Sequence, residues 1–414
     1  MIASMQINKK RLWETIERIN QIGNDPLYPE RGNTRLSLSK EDLLAREFLI
    51  ELMKAAGLSV KIDAVGNIIG RLEGNNQKAP VVMTGSHIDT VYDGGKFDGT
   101  LGVLGAIEAV RRLKELEIQL EHPIEVVSFT DEEGTRFGTG YIGSRAVAGE
   151  LKLSTLELKD DSGITLYEAL KKAGLEPEKF KECKREKKEL KAFIEMHIEQ
   201  GKVLEEKNLS VGVVTHIQGP VWLQVEVIGS ADHAGATPMH MRKDASLAMA
   251  EMMLAVEQIA KTYDGVGTVG KLHIEPGGVN IIPGRAKFSV DVRHVDLKKR
   301  TEMIEELHLL LKKISQKRGV LVKIEVNKEV DPAKCSPALV QSIVDTCGEL
   351  KIPTMTLPCG AGHDSLMMTK ITEMAMIFVR SKGGISHNPL EWSSIEDCAA
   401  GTEVLFQTLY KLAK

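Results

Sequence analysis

The apolar run Val81–Met83 passes into GSHIDTVYDGGKFDGTLG (Gly85–Gly102), and that stretch passes into a helical pattern from Gly102 to Leu116. A strand so short and wholly apolar belongs inside a sheet, buried on both faces. A glycine-rich loop after it, then a helix, is the order of an α/β sheet, whose functional loops lie at the carboxyl ends of strands. The pattern returns. Ile124–Phe129 is apolar and closes on Thr130-Asp131-Glu132-Glu133-Gly134, and Ala192–His197 runs into Ile198-Glu199-Gln200-Gly201. Upstream, Glu41–Ala56 sets Leu43, Leu44, Phe48, Leu49 and Leu52 at helical spacing and stops at Gly57. Strands are expected at Leu58–Ile62 and Asn67–Leu72.

Near Val211 the character changes. Trp222–Ile228 alternates as a strand, Ala245–Tyr263 is a long helix, and Thr268–Ile274 and Lys287–Val292 are strands. Helix Leu297–Arg318 and strand Leu321–Val326 follow. Strand-helix-strand-strand-helix-strand is a split βαβ, or ferredoxin-like, order. Afterwards α/β features resume: helix Ser336–Glu349, strand Met374–Phe378 and a last helix from Ile395. The expected architecture is a discontinuous α/β domain with a central mixed sheet, residues 1–210 and 328–414, interrupted by an inserted α+β domain at 211–327.

At 414 residues the chain is too long for one ordinary core, which also requires two or more domains. A net charge of −4 and 4% aromatic residues supply neither the basic footprint nor the stacking platform of a nucleic-acid binder. No apolar stretch reaches the ~20 residues that span a bilayer, so no membrane partner is expected. MIASMQINKKRLWETIERI at the N-terminus lacks the apolar core of a signal peptide and reads as the start of an amphipathic helix, so a cytoplasmic protein is expected. Five cysteines (Cys183, Cys335, Cys347, Cys359, Cys398) without a C-x-x-C pair argue against a disulfide frame or a Cys-based zinc knuckle. The charge run KECKREKKELK (Lys181–Lys191) reads as a solvated surface.

Four acidic or histidine clusters stand at expected strand ends: His87/Asp89/Asp98, Asp131/Glu132/Glu133, His197/Glu199 and His387. Imidazole and carboxylate together suit borderline divalent ions, and Asp89 is spaced to take the second N–H of His87. Neighbouring carboxylates repel, so Glu132 beside Glu133 is costly unless a cation or a proton lies between them. A metal satisfies one and leaves the other as a base.

The segments GSHIDTVYDGGKFDGTLG, FTDEEGTRF, MHIEQGKVLEE, ADHAGATPM, GGVNIIPG with DVRH, CGAGHDS and MIFVRSKGGISHNP carry a family resemblance. The chain resembles the M20-type metallopeptidase superfamily. Within it, the chain resembles the hydantoinase/carbamoylase branch of N-carbamoyl-L-amino acid hydrolases, allantoate amidohydrolases and related ureidohydrolases. That resemblance implies two divalent ions per subunit. His87, Asp98 and His197 would hold one, and Asp98, Glu133 and His387 the other, with Asp98 bridging. Zn2+, Mn2+, Co2+ and Ni2+ all suit these donors. Glu132 would be the general base acting on the water between the ions, and Asp89 would orient His87. His233 in ADHAGATPM would polarise the scissile carbonyl or its oxyanion, reaching in from a partner subunit. Asn280 and Arg293 would grip the substrate's α-carboxylate, and Gln200 would contact the polar urea end. His363 and Asp364 are candidates for lining the site. The inserted domain would serve as a lid and pair with its copy in a homodimer. A cis peptide after Asp98 is also implied; it precedes Gly99, the residue type that tolerates it sterically.

The implied reaction is hydrolysis of a non-peptide C–N bond in a small ureido substrate. Allantoate-type members resemble the chain in CGAGHDS and DVRH, but usually carry Gly-Gln-Arg where Gly219-Pro220-Val221-Trp222 stands here. That strand entry, with Phe137–Gly149 (FGTGYIGSRAVAG), resembles the N-carbamoyl-L-amino acid enzymes, whose products are L-amino acid, ammonia and carbon dioxide. Allantoate hydrolysis is the alternative. A peptidase is disfavoured by His197 in its HIEQG context, where a carboxylate would otherwise stand. A non-catalytic metabolite-binding module would be marked by loss of a metal ligand or the base, and none is lost.

Overall fold

Residues 6–414 are described by a computed structural model, so the first five residues of the N-terminal amphipathic stretch lie outside the described residues. The strands, in chain order, are β1 (Ser59–Ile62), β2 (Ile68–Leu72), β3 (Val81–His87), β4 (Ile124–Phe129), β5 (Leu190–Ile198), β6 (Val211–Ile217), β7 (Gly219–Ile228), β8 (Val266–Glu275), β9 (Arg285–His294), β10 (Leu321–Glu329), β11 (Ala333–Lys334), β12 (Thr354–Cys359) and β13 (Met374–Val379). The chain forms two compact units, one of residues up to Thr215 together with Cys335–Lys414, the other His216–Lys334.

In the first unit the sheet runs β1-β2-β4-β3-β5-β13-β6, with β12 also pairing β6. β4, β3, β5 and β13 are mutually parallel neighbours. β1, β2 and β6 pair antiparallel, so the sheet is mixed. The register sets His87 beside Phe129 and His197 beside Phe378, so four parallel strands finish along one edge. Their apolar content explains the position: β3, β4 and β13 are buried throughout. Val82, Val126, Ile194, Met196, Ile377 and Val379 face a core shared with helices Lys40–Ala55, Thr100–Glu115 and Ile395–Ala413. Each large aliphatic side chain so buried contributes about 1.5–3 kcal/mol.

Two glycines let the layers close. Gly85 has φ 146°, and a Cβ there would meet Val127 O at 1.8 Å, so only glycine allows β3 to lie this close to β4. A Cβ on Gly102 would meet Met196 O at 2.2 Å, which is why the helix after the His87 loop can rest on β5.

The second unit is built β7, helix Ala245–Thr262, β8, β9, helix Leu297–Arg318, β10. Its sheet order is β10-β7-β9-β8, antiparallel throughout. Alternation does the work: Val221, Leu223, Val225 and Val227 point to the helices, and Gln224 and Glu226 to the other face. Asp244 and Asp296 cap the two helices through their side chains. Buried Arg300 donates to Gly219 O and Val330 O and pairs with Glu329, tying the start of β7 to the exit from β10.

The units divide a few residues later than composition indicates. The change of character at Val211 marks the start of β6, but Val211–Val214 of that strand pair with β13. No helix among the described residues is long and apolar enough to cross a membrane. All five cysteines are buried and free.

Candidate metal centre

His87 ends β3 and His197 lies one residue from the end of β5. Their rings stand 5.9 Å apart, centroid to centroid, and both are buried. His87 Nδ1 lies 3.0 Å from Asp89 O, and His197 Nδ1 3.0 Å from Ile198 O. A carbonyl only accepts, so each Nδ1 carries a proton and each Nε2 is the nitrogen turned inward. Both Nε2 atoms face one oxygen of Asp98: Oδ1 is 3.5 Å from His87 and 3.2 Å from His197. The second oxygen faces the other way, with Oδ2 3.3 Å from His387 Nε2, which is itself 3.5 Å from Glu133 Oε2. Glu132 Oε2 lies 3.7 Å from His87 Nε2.

These side chains fall into groups whose ligand atoms all lie within 4.8 Å of one another: His87/Asp98/His197, Asp98/Glu133/His387, and His87/Glu132/Glu133. The donors fit a divalent cation. An imidazole nitrogen this close to a carboxylate oxygen needs a proton or a cation between them, and five such approaches meet here. Asp98 offers one oxygen to each of two groups, as a bridging ligand must.

The electrostatics agree. Burial pushes Glu132 well above the usual carboxylate range, against the pull of His87, and the like charges of Glu133 and Asp364 add to it. Glu133 is raised by burial and by Asp98 to about 7. Asp98 sits well below its usual range: burial opposes this, but His197, His387 and His87 together outweigh it.

The supporting contacts differ in part from the sequence reading. Asp89 does serve His87, but through its backbone carbonyl, its carboxylate being 3.8 Å away. The carboxylate instead accepts from the Glu132 and Glu133 amides, each at 3.2 Å, and so holds the acidic loop in place. Gln200 lies on the Asp98 carboxylate, its Nε2 donating to Asp98 Oδ2 at 2.7 Å, while its Oε1 is buried without a partner. Glu199 belongs to none of these groups; it caps the turn at Val203 and Leu204. The Asp98–Gly99 peptide is trans, contrary to the implied cis bond; Gly99 makes the turn with φ 59°.

Three residues of this shell escaped the sequence reading. Glu391 accepts from the amides of Phe97 and Asp98 at 2.8 and 3.0 Å, fixing the loop that presents Asp98. Ser386 Oγ lies 2.8 Å from Asp98 Oδ2 and 2.9 Å from Glu391 Oε2. Glu195, buried on β5, accepts from Ser86 Oγ and from the amide and hydroxyl of Ser365. It thereby anchors the turn that carries His363 and Asp364. The His363 ring is 4.2 Å from that of His197, its Nε2 is unpaired, and burial together with His197 holds it neutral.

His233, Asn280 and Arg293 belong to the second unit. His233 and Asn280 are neighbours there: Ala234 N donates to Asn280 O, and His233 bridges to Ile281. His233 is exposed, and its Nδ1 accepts from the Gly235 and Ala236 amides at 3.0 and 3.1 Å. That leaves Nε2 as the protonated, donating nitrogen. Arg293 sends its fork to the Asp291 carboxylate, with Nη2 at 2.7 Å.

A model of peptidase family M20/M25/M40 matches residues 83–411. An N-carbamoyl-L-amino acid amidohydrolase from Geobacillus stearothermophilus is 45% identical over 99% of both chains. A ureidoglycolate hydrolase from Oryza sativa subsp. japonica is 39% identical over 96% of this chain and 84% of its own. A crystal structure of an amidase of the hydantoinase/carbamoylase family from Burkholderia multivorans superposes with a TM-score of 0.94, at 35% identity over 99% of each chain.

Proposed function

The chain belongs to peptidase family M20/M25/M40, and from that premise we propose a metal-dependent amidohydrolase that cleaves the ureido C–N bond of N-carbamoyl-L-amino acids. The products are L-amino acid, ammonia and carbon dioxide. The relative that is 45% identical over the full length, named for this activity, supports the substrate. The observation that carries the chemistry is the meeting of His87, His197 and His387 on opposite oxygens of Asp98, with Glu132 beside them.

On this reading His87, Asp98 and His197 hold one divalent ion and Asp98, Glu133 and His387 a second, either Zn2+ or Mn2+, with Co2+ and Ni2+ chemically admissible. Bound ions supply Lewis acidity and lower the pKa of water toward neutrality. The chain's own groups do the rest. Glu132 takes the proton of the attacking water and returns it to the departing nitrogen. Gln200 Oε1, unpaired at present, accepts from the ureido amide. His233 donates from Nε2 to the oxygen on which charge develops, and Asn280 and Arg293 receive the α-carboxylate. Arg293 is suited to this because its planar fork pairs bidentately, as it does with Asp291.

The reading includes a homodimer through the second unit, with that unit acting as a lid and His233 serving the neighbouring site. Leu247 and Leu254, two turns apart on helix Ala245–Thr262, and the edge strand β8 are exposed there and support it. Inactive His233→Ala and Glu132→Gln chains, mixed and shown to form mixed dimers, then regain part of the activity; verified mixed dimers without turnover contradict the arrangement.

The ureidoglycolate relative favours a second reading, a ureide such as allantoate as substrate. A panel of N-carbamoyl-L-methionine, allantoate, ureidoglycolate and a dipeptide separates the cases. The expected result is turnover of the carbamoyl amino acid, lost on chelation and restored by Mn2+ or Zn2+. Faster turnover of a ureide sinks the substrate assignment, and no turnover of any sinks the enzyme.

A further inference from the structure

Tyr141 stands where the Glu132 loop turns into helix Ile142–Ala148. Its backbone is left-handed, φ 63° and ψ 29°, and its amide donates to Glu132 O at 3.1 Å. Gly140, just before it, lies so close under the base that a Cβ there would meet Glu132 O at 2.1 Å. One end of the tyrosine is therefore pinned to the loop of the general base. The other end reaches the opposite wall: a Cβ on Gly362 would come within 2.0 Å of Tyr141 Oη. Gly362 precedes His363, whose ring packs on His197. The side chain thus spans from Glu132 to the turn that carries His363 and Asp364.

The phenolic oxygen at the end of that span has no hydrogen-bond partner among the described residues, and Tyr141 is not fully buried. Burial, and then the charges of Glu132, Asp364 and Glu133, hold the phenol well above its usual range, so it remains an O–H donor. Its charged surroundings accept and do not donate. A ureido group has the converse need: its N–H groups are matched by acceptors such as Gln200 Oε1, and its oxygen requires a donor.

We propose that Tyr141 contacts the substrate, donating its hydroxyl hydrogen to the ureido oxygen beside Glu132. This rests on the protein being a ureido hydrolase. Charge on that oxygen grows as the carbon becomes tetrahedral, so the bond strengthens in the transition state and its loss falls on kcat.

Tyr141→Phe keeps the ring and the turn and removes the donor. The expected result with N-carbamoyl-L-methionine is a kcat lower by about 10- to 100-fold, somewhat less than the loss of a full oxyanion-hole donor. KM stays within about two-fold, and metal content and thermal midpoint are unchanged. Gly362→Ala is the independent variant: it displaces Oη in the native background and lowers kcat similarly. In the Tyr141→Phe background it costs little more, because the nearest remaining ring atom would be 3.2 Å away. Native kcat in Tyr141→Phe, or a change in KM alone, overturns the proposal. Absence of turnover by the native protein on any carbamoyl substrate overturns instead the reading beneath it.

Discussion

Glu132→Gln lowers kcat on N-carbamoyl-L-amino acids by about 100- to 10,000-fold and leaves the metal content unchanged. Glutamine keeps the shape and loses the proton acceptor. The position is ready for that role: Glu132 is buried, 3.7 Å from His87, and its loop is held by the Asp89 carboxylate. Burial and the neighbouring carboxylates destabilise its charged form; a divalent ion held by the adjoining His87, Asp98 and His197 would favour the ionised form that acts as a base. Neither proposed ligand set uses Glu132, so elemental analysis of the variant returns the native stoichiometry. A variant that retains metal and more than a tenth of native kcat would place the base elsewhere.

Asp98→Ala abolishes turnover and empties both metal positions. The reason is geometric: Oδ1 serves His87 and His197 while Oδ2 serves His387, so one truncation leaves each group a ligand short. Asp98 is also buried and accepts from Gln200, so truncation could disturb folding as well as binding. Asp98→Asn guards against that, since it keeps the volume and a neutral hydrogen-bonding group but loses the bridging charge. After desalting, both variants carry fewer than one ion per subunit, where the native chain carries two, and Asp98→Asn retains a cooperative melting transition. A variant that folds, holds two ions and turns over removes Asp98 from the centre.

The local features of the fold were legible in the sequence because they depend on local periodicity. Ile124–Phe129 and Leu297–Arg318 have the ends read from their hydrophobic patterns. The apolar run Val81–Met83 covers three of the seven residues of β3, because Thr84, Gly85 and Ser86 interrupt it. What keeps that segment in the sheet is non-local: Ser86 bonds to Glu195, and Gly85 fits against Val127. Residues near the centre divide along the same line. The histidines and carboxylates at strand ends were visible as residue types with a chemistry. Glu391 was not, because its value comes from two amides nearly three hundred positions away. Tyr141 lies in the FGTGYIGSRAVAG segment, but only folding brings its hydroxyl to Gly362. Asp89 shows the limit most plainly. Spacing indicated a bond to His87, yet could not tell that the carbonyl makes it and that the carboxylate anchors Glu132 and Glu133.

The most direct measurement is anomalous diffraction from crystals of the chain soaked in Mn2+, recorded across the metal absorption edge. The account predicts two peaks per subunit on either side of Asp98, one coordinated by His87 and His197 and the other by Glu133 and His387. Ligand distances of about 2.0–2.2 Å are expected. Density at those side chains without an anomalous peak, or peaks only at other residues, would contradict it.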